Sequence, residues 1–107
     1  MDNDVIQIEH VYNSPNPMQN ETTFFVQHNK PQELLNAKIH IFAVNGKRVW
    51  HHEQKVYSTA YLLDDFRWDA TSYSGQKVKK GTYLYTIELI STLSQSSGKY
   101  SGKLIVK

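Results

Sequence analysis

Apolar and polar residues alternate along most of the chain, and the period is two. In AKIHIFAV, Ala37, Ile39, Ile41 and Ala43 fall on one side of an extended backbone, and Lys38, His40, Phe42 and Val44 on the other. TYLYTIELI repeats the pattern, with Tyr83, Tyr85, Ile87 and Leu89 on one face. Further runs rich in β-branched and aromatic residues cover 5–12, 21–29, 47–57, 60–68 and 100–107. In the last of these, Leu104 and Val106 share a face and Ile105 takes the other, with Lys103 and Lys107 flanking.

Between the runs lie breaking signals. SPNP (14–17) interrupts regular pairing, because proline lacks a donor and restrains the residue before it. Asn45-Gly46, set between two strand-like runs, predicts a two-residue type I′ hairpin, in which both residues take positive φ. Residues 30–36 are helix-like but too short to stand alone. A polar connection containing Gly75 and Gly81 follows Trp68, and 91–99 reads as a serine-rich, mobile loop. About seven short strands in 107 residues predict an all-β fold: an immunoglobulin-like antiparallel β-sandwich, one domain across 1–107.

Composition narrows the functions open to such a body. A chain this size buries about two thirds of its surface, enough for one modest core and no second module. No apolar run reaches the length of a membrane span, and the polar, acidic opening MDNDVIQIEH predicts no signal peptide. There is no cysteine, which removes disulfides, thiolate zinc sites and a cysteine nucleophile. The net charge of +2 gives no case for nucleic acid. Its distribution is uneven: 1–76 hold 6 Lys/Arg against 9 Asp/Glu, whereas 77–107 hold 6 against 1. The basic last third is either a solubilising face or a docking surface for an acidic partner.

Candidate chemistry is sparse. His51 and His52 are adjacent, so on a strand they point to opposite faces, and His10, His28 and His40 fall on separate runs. Asp64, Asp65 and Asp69 lack the spacing of a calcium loop. No G-x-S-x-G elbow occurs, and the chain is too small to build a deep cleft round a carboxylate pair. The expectation is therefore no catalytic residue, no metal and no cofactor. Trp50, Trp68 and seven tyrosines are either core fillers or a sugar-binding platform. The position of Trp68 predicts burial, with Asp69 accepting from nearby turn donors.

Four segments, in order, resemble a known family. SPNPMQNETTFF, carrying Pro15, Asn16 and Pro17, resembles the opening motif of C-terminal domains of type IX secretion cargo. IHIFAVNGKRVW, with Asn45 and Gly46, is similar to that group's strand–turn–strand motif. FRWDATSYSGQKVKKGTYLYTIEL, with Trp68, Asp69, Gly75, Gly81 and Tyr83, resembles a segment shared with the immunoglobulin-like domain of flagellar hook-capping proteins. GKLIVK resembles the basic–apolar–Lys ending of type IX signals. Within these, FFVQHNKP resembles a segment of the C-terminal domain of the type IX sortase, with Lys30 in place of Arg and Gln27 in place of an acidic residue.

The resemblance implies a C-terminal signal domain on a larger, gingipain-like cysteine protease. It implies passage through the type IX translocon, residence at the cell surface, and docking on an outer-membrane β-barrel protein. Under it, Gly102, Lys103, Leu104, Ile105, Val106 and Lys107 are the partner-recognition residues, with the strand's edge open to β-addition. A free edge would also let two copies pair. The alternatives are the signal of a cargo protein, or an adhesion or carbohydrate-binding module.

Overall fold

The computed structural model describes residues 5–107; the first four residues of the polar opening lie outside it. Seven strands are present: β1 (Ile8–Ser14), β2 (Thr22–His28), β3 (Glu33–Ala43), β4 (Arg48–Ser58), β5 (Leu62–Trp68), β6 (Gly81–Ser91) and β7 (Ser97–Val106). They form two antiparallel sheets, ordered β1-β2-β5 and β4-β3-β6-β7. This is the immunoglobulin-like sandwich predicted from the pattern, with β4 joined to β3 in the larger sheet.

Alternation builds the core. Leu35, Ala37, Ile39 and Ile41 of β3 and Ile87 and Leu89 of β6 are fully buried, facing Phe24 and Val26 of β2 and Leu63, Phe66 and Trp68 of β5. Leu63 and Phe66 are three residues apart yet both point inward. The register shifts from Phe24↔Phe66 to Val26↔Leu63, so β5 carries one extra residue there. That bulge turns out Asp64 and Asp65 together, which strict alternation would not.

Three local expectations are corrected. Residues 30–36 do not form a helix: β3 begins at Glu33 and pairs as far as Glu33↔Ser58 and Leu35↔Ser91. Seven residues cannot nucleate a helix against ladders available on both sides. The Asn45-Gly46 turn is not type I′. Of the pair only Gly46 has positive φ (89°), and Gly46 N–H donates to Ala43 O (2.9 Å) while Ala43 N–H donates to Lys47 O (2.8 Å). This is a type I turn closed by a glycine bulge, and Asn45 instead accepts from Lys47 N–H (3.0 Å). Gly75 (φ 82°) repeats the geometry, with its N–H donating to Ser72 O and Ser72 N–H donating to Gln76 O.

The third concerns the serine-rich stretch. The loop is shorter than 91–99, because β7 starts at Ser97. Its hydroxyls are engaged: Ser91 Oγ donates to Glu33 Oε1 (2.7 Å) and Thr92 Oγ1 donates to Leu34 O (2.9 Å).

Gly102 sits in β7 opposite Tyr85 of β6, and the tyrosine ring lies across it. A Cβ added at Gly102 would stand 2.6 Å from Tyr85 Cζ and Oη. The ring cannot swing away freely, since it packs edge-on against Phe24 and tilted against Tyr100. Gly102→Ala is therefore expected to destabilise the domain by about 1–3 kcal/mol through overpacking. Thermal melting checks this, and Tyr85→Phe in the same background should recover part of the loss.

Candidate functional site

The final strand holds the predicted recognition residues. Leu104 and Val106 are buried, Gly102 is half-buried, and Lys103, Ile105 and Lys107 are exposed. β7 is an edge strand of the larger sheet, and β6 is its one strand partner among the described residues. In an antiparallel strand alternate residues turn their backbone groups outward, and here these are the odd-numbered ones. Met18 N–H donates to Ile105 O (2.8 Å), and Lys107 N–H donates to Met18 O (2.7 Å). Ile105 N–H donates to Asn16 Oδ1 (3.0 Å). The last stretch of the rim is thus already closed by the chain's own first loop.

Pro15, Asn16 and Pro17 are placed to make this clasp. Both the Ser14–Pro15 and Asn16–Pro17 peptide bonds are cis. Asn16 Nδ2 donates to Asn13 Oδ1 (3.3 Å), Asn13 Nδ2 donates to Thr22 Oγ1 (3.1 Å), and Thr22 Oγ1 donates to Pro15 O (2.9 Å). Asn13 and Thr22 are buried, so this circuit fixes Asn16 from a rigid base. Met18, fully buried, anchors the far end. The resemblance marked Pro15–Pro17 as a motif without a reason. Met18, Asn13 and Thr22 were missed, although a lone large apolar residue inside the polar run PNPMQNE was a signal.

At its other end β7 lies beside the first described residues. Ile6 N–H donates to Ser96 Oγ (2.8 Å), and a Cβ on Gly98 would meet Ile6 O at 3.3 Å. Between these closures, Gly102 and Lys103 border a groove of about 360 Å³ lined also by Val11, Tyr12 and Asn16 among others. The open rim is shorter than an edge-strand reading supposes.

The remaining motif residues frame the opposite side. Trp68 is buried against Tyr83 (ring centroids 5.9 Å apart, T-shaped), and its Nε1–H donates to Thr71 O (2.9 Å). Asp69 accepts from Thr71 N–H and from the Thr71 hydroxyl, as its position predicted. Tyr83 Oη donates to Lys79 O (2.6 Å), which fixes the connection containing Gly75 as it enters β6 at Gly81 (φ 146°). Burial raises the Tyr83 phenol, and burial with Tyr100 nearby pushes Tyr85 up to about 12. Trp50 is half-buried beside Trp68 and His52, and among the described residues the exposed Tyr12, Tyr57, Tyr61 and Tyr73 sit on separate elements, with Tyr12 stacked on Phe25 (ring centroids 4.8 Å apart).

The histidines do not gather round a metal. Among the described residues no three ligating side chains cluster. His28, in the FFVQHNKP segment, is fully buried. Its Nδ1 accepts from Lys30 N–H (3.0 Å), which leaves the ring proton on Nε2, 2.9 Å from Ser58 Oγ. Ser58 Oγ in turn donates to Ala60 O (2.8 Å). A second ring proton would oppose the Lys30 N–H. Burial lowers this histidine below its ordinary 6.5, partly offset by Glu33 and Glu9. His40, opposite His51 on the outer face, is also lowered, by partial burial and then by Arg48, His51 and Lys38.

The chain matches the family model described as the CHU_C type IX secretion signal domain over residues 3–106. It is similar to part of a solved structure, dimeric latent PorU from Porphyromonas gingivalis, with 34% identity and a TM-score of 0.73. That similarity covers 90% of this chain and 9% of the other. No curated protein matches the chain.

Two outcomes follow from the clasp and from His28. Asn16→Ala should cost about 1–2 kcal/mol, because it strands the Ile105 amide and opens the Asn13 circuit. Hydrogen exchange at Ile105 and Lys107 should quicken more than at Ile39 or Ile87. Because the folded state holds His28 and His40 below 6.5, the unfolded chain binds more protons once pH falls under that value. Stability is full above about pH 6.5 and declines as the pH drops toward the folded-state values, so melting temperature should fall between about pH 7 and pH 5. His28→Gln should flatten that slope, whatever it does to stability at pH 7.

Proposed function

Because the chain belongs to the type IX secretion signal domain family, we propose that it docks its parent protein on an outer-membrane β-barrel partner after type IX export. The coarser function follows from the family: the domain is a secretion signal that takes a protein across the outer membrane to the cell surface. It is a signal rather than an enzyme. The finer reading is that the parent is the type IX sortase, that this domain is its non-cleaved C-terminal part, and that 102–107 carry recognition.

One observation bears most of this reading. The last strand, where the type IX ending GKLIVK falls, is not a loose tail. It is held at its inner face by Leu104 and Val106 in the core and at its rim by Met18 and Asn16. A signal presented this way has a fixed shape before any partner arrives, which lowers the ordering cost of binding. The sortase assignment draws support from the FFVQHNKP segment, whose histidine closes the top of the smaller sheet. The 34% identity to a part of PorU supports it further.

Fused behind a fluorescent carrier that has its own inner-membrane export signal, the chain should bring the carrier to the surface of a bacterium with a type IX system. Removing 102–107 from the fusion should leave the carrier in the periplasm. Surface display of the truncated fusion would overturn the proposal. Mass spectrometry of the mature parent protein separates the two origins: a sortase keeps this domain, whereas a cargo protein loses it.

A further inference from the structure

The rim of the last strand leaves little for a partner to pair with, yet its outer face is open. Register places four residues in one row across the larger sheet: Arg48 opposite Phe42, Phe42 opposite Leu84, and Leu84 opposite Lys103. The order is cation, apolar, apolar, cation. Three strand spacings separate the two charges, about 14 Å. One step further along, Ile105 stands opposite Thr82, and Val44 projects from the adjoining turn. Leu84 is 42% exposed, Ile105 45% and Val44 70%, with Phe42 half-buried between them. Single exposed apolar residues are ordinary, but three exposed ones grouped round a half-buried phenylalanine on one sheet face are not.

The charges of this face are sorted. Two rows away from Arg48 and Lys103, Glu53, Lys38, Glu88 and Lys99 alternate across all four strands. The row between holds His51, His40, Thr86 and Ser101. Toward the apolar end no carboxylate stands in register on the face among the described residues, and Lys47, Lys80 and Lys107 lie nearby in sequence. One end of the face is therefore neutralised within itself, whereas the other carries positive charge round an apolar centre, with the Arg48 guanidinium steadied by His40 Nδ1 (3.3 Å) and the Tyr73 ring (5.8 Å to its centroid) and facing no carboxylate among the described residues of that row.

We infer that this apolar strip between Arg48 and Lys103 is the surface by which the last strand is recognised. Its occupant is a flat protein surface that offers an apolar patch flanked by carboxylates. This inference rests on the docking reading above and moves recognition from the strand's rim to its outer face. Within 102–107 it separates roles: Leu104 and Val106 hold the strand in the core, while Lys103 and Ile105 meet the partner. An anionic lipid surface fits less well. Phe42 is half-buried and Leu84 and Ile105 are each less than half exposed, which offers little apolar area to an acyl layer that must be entered by about 5–10 Å.

The test uses the carrier fusion in a type IX-competent bacterium. Leu84→Ser/Ile105→Ser and Arg48→Glu/Lys103→Glu change exposed residues, so melting temperature should stay close to the parent fusion. Surface display should fall about tenfold or more in both double variants, as expected for a removed interface centre. Photo-crosslinking from position 105 should capture an outer-membrane β-barrel protein, and crosslinking from Tyr12 on the other sheet should not. Normal display by both double variants, with the 102–107 deletion still retained inside, would overturn this inference and leave the docking reading standing. Normal display by the deletion as well would overturn both. Binding of the purified fusion to phosphatidylglycerol vesicles, lost in Arg48→Glu/Lys103→Glu, would replace the protein partner by a lipid surface and so also overturn it.

Discussion

The structure depends on closing an edge. A sandwich of two open sheets leaves unpaired backbone groups at its rims, and the last strand would present a row of them. The chain meets this by folding its first loop back onto its last strand. Met18 supplies both a donor and an acceptor, Asn16 supplies one more acceptor, and the side chain of Met18 fills the core beneath. The two sheets are joined at the same place, because Asn13 ends one strand of the smaller sheet and carries the circuit to Asn16.

Around that closure the two faces of β7 acquire separate duties. The inner face packs Leu104 and Val106 and accommodates the Tyr85 ring over Gly102. The outer face continues the row that begins at Arg48. A secretion signal built in this way offers the surface of a folded body rather than an extended peptide. The basic last third of the sequence then has a location: part of its excess charge lies where the outer face is apolar.

Most of the fold was legible in the sequence because alternation is a strong constraint. A sheet buried on one side leaves no other place for Ala37, Ile39 and Ile41, or for Tyr83, Tyr85, Ile87 and Leu89. What was hidden depended on distant partners. Residues 30–36 read as helix-like alone, and the part from Glu33 onward becomes strand because β4 and β6 arrive beside it. The Asn45-Gly46 pair fits two kinds of turn, and the extra residue at Val49 in β4 goes with the wider one. Of the candidate site, the residue types of the last strand were readable. The occupant of its rim was not, since Met18 and Ile105 are far apart in the chain. The sorting of charge across four strands was equally hidden, because it needs the register to be seen.

The clasp spans nearly the whole chain: Asn16 and Ile105 are 89 positions apart. A contact between residues so far apart forms only after both have been made, and loops of that length close late. A polypeptide cut short before Ile105 would keep most of its hydrophobic strands and still lack the lock between its two ends. The lock on β7 is thereby assembled only by a chain that carries both Asn16 and Ile105.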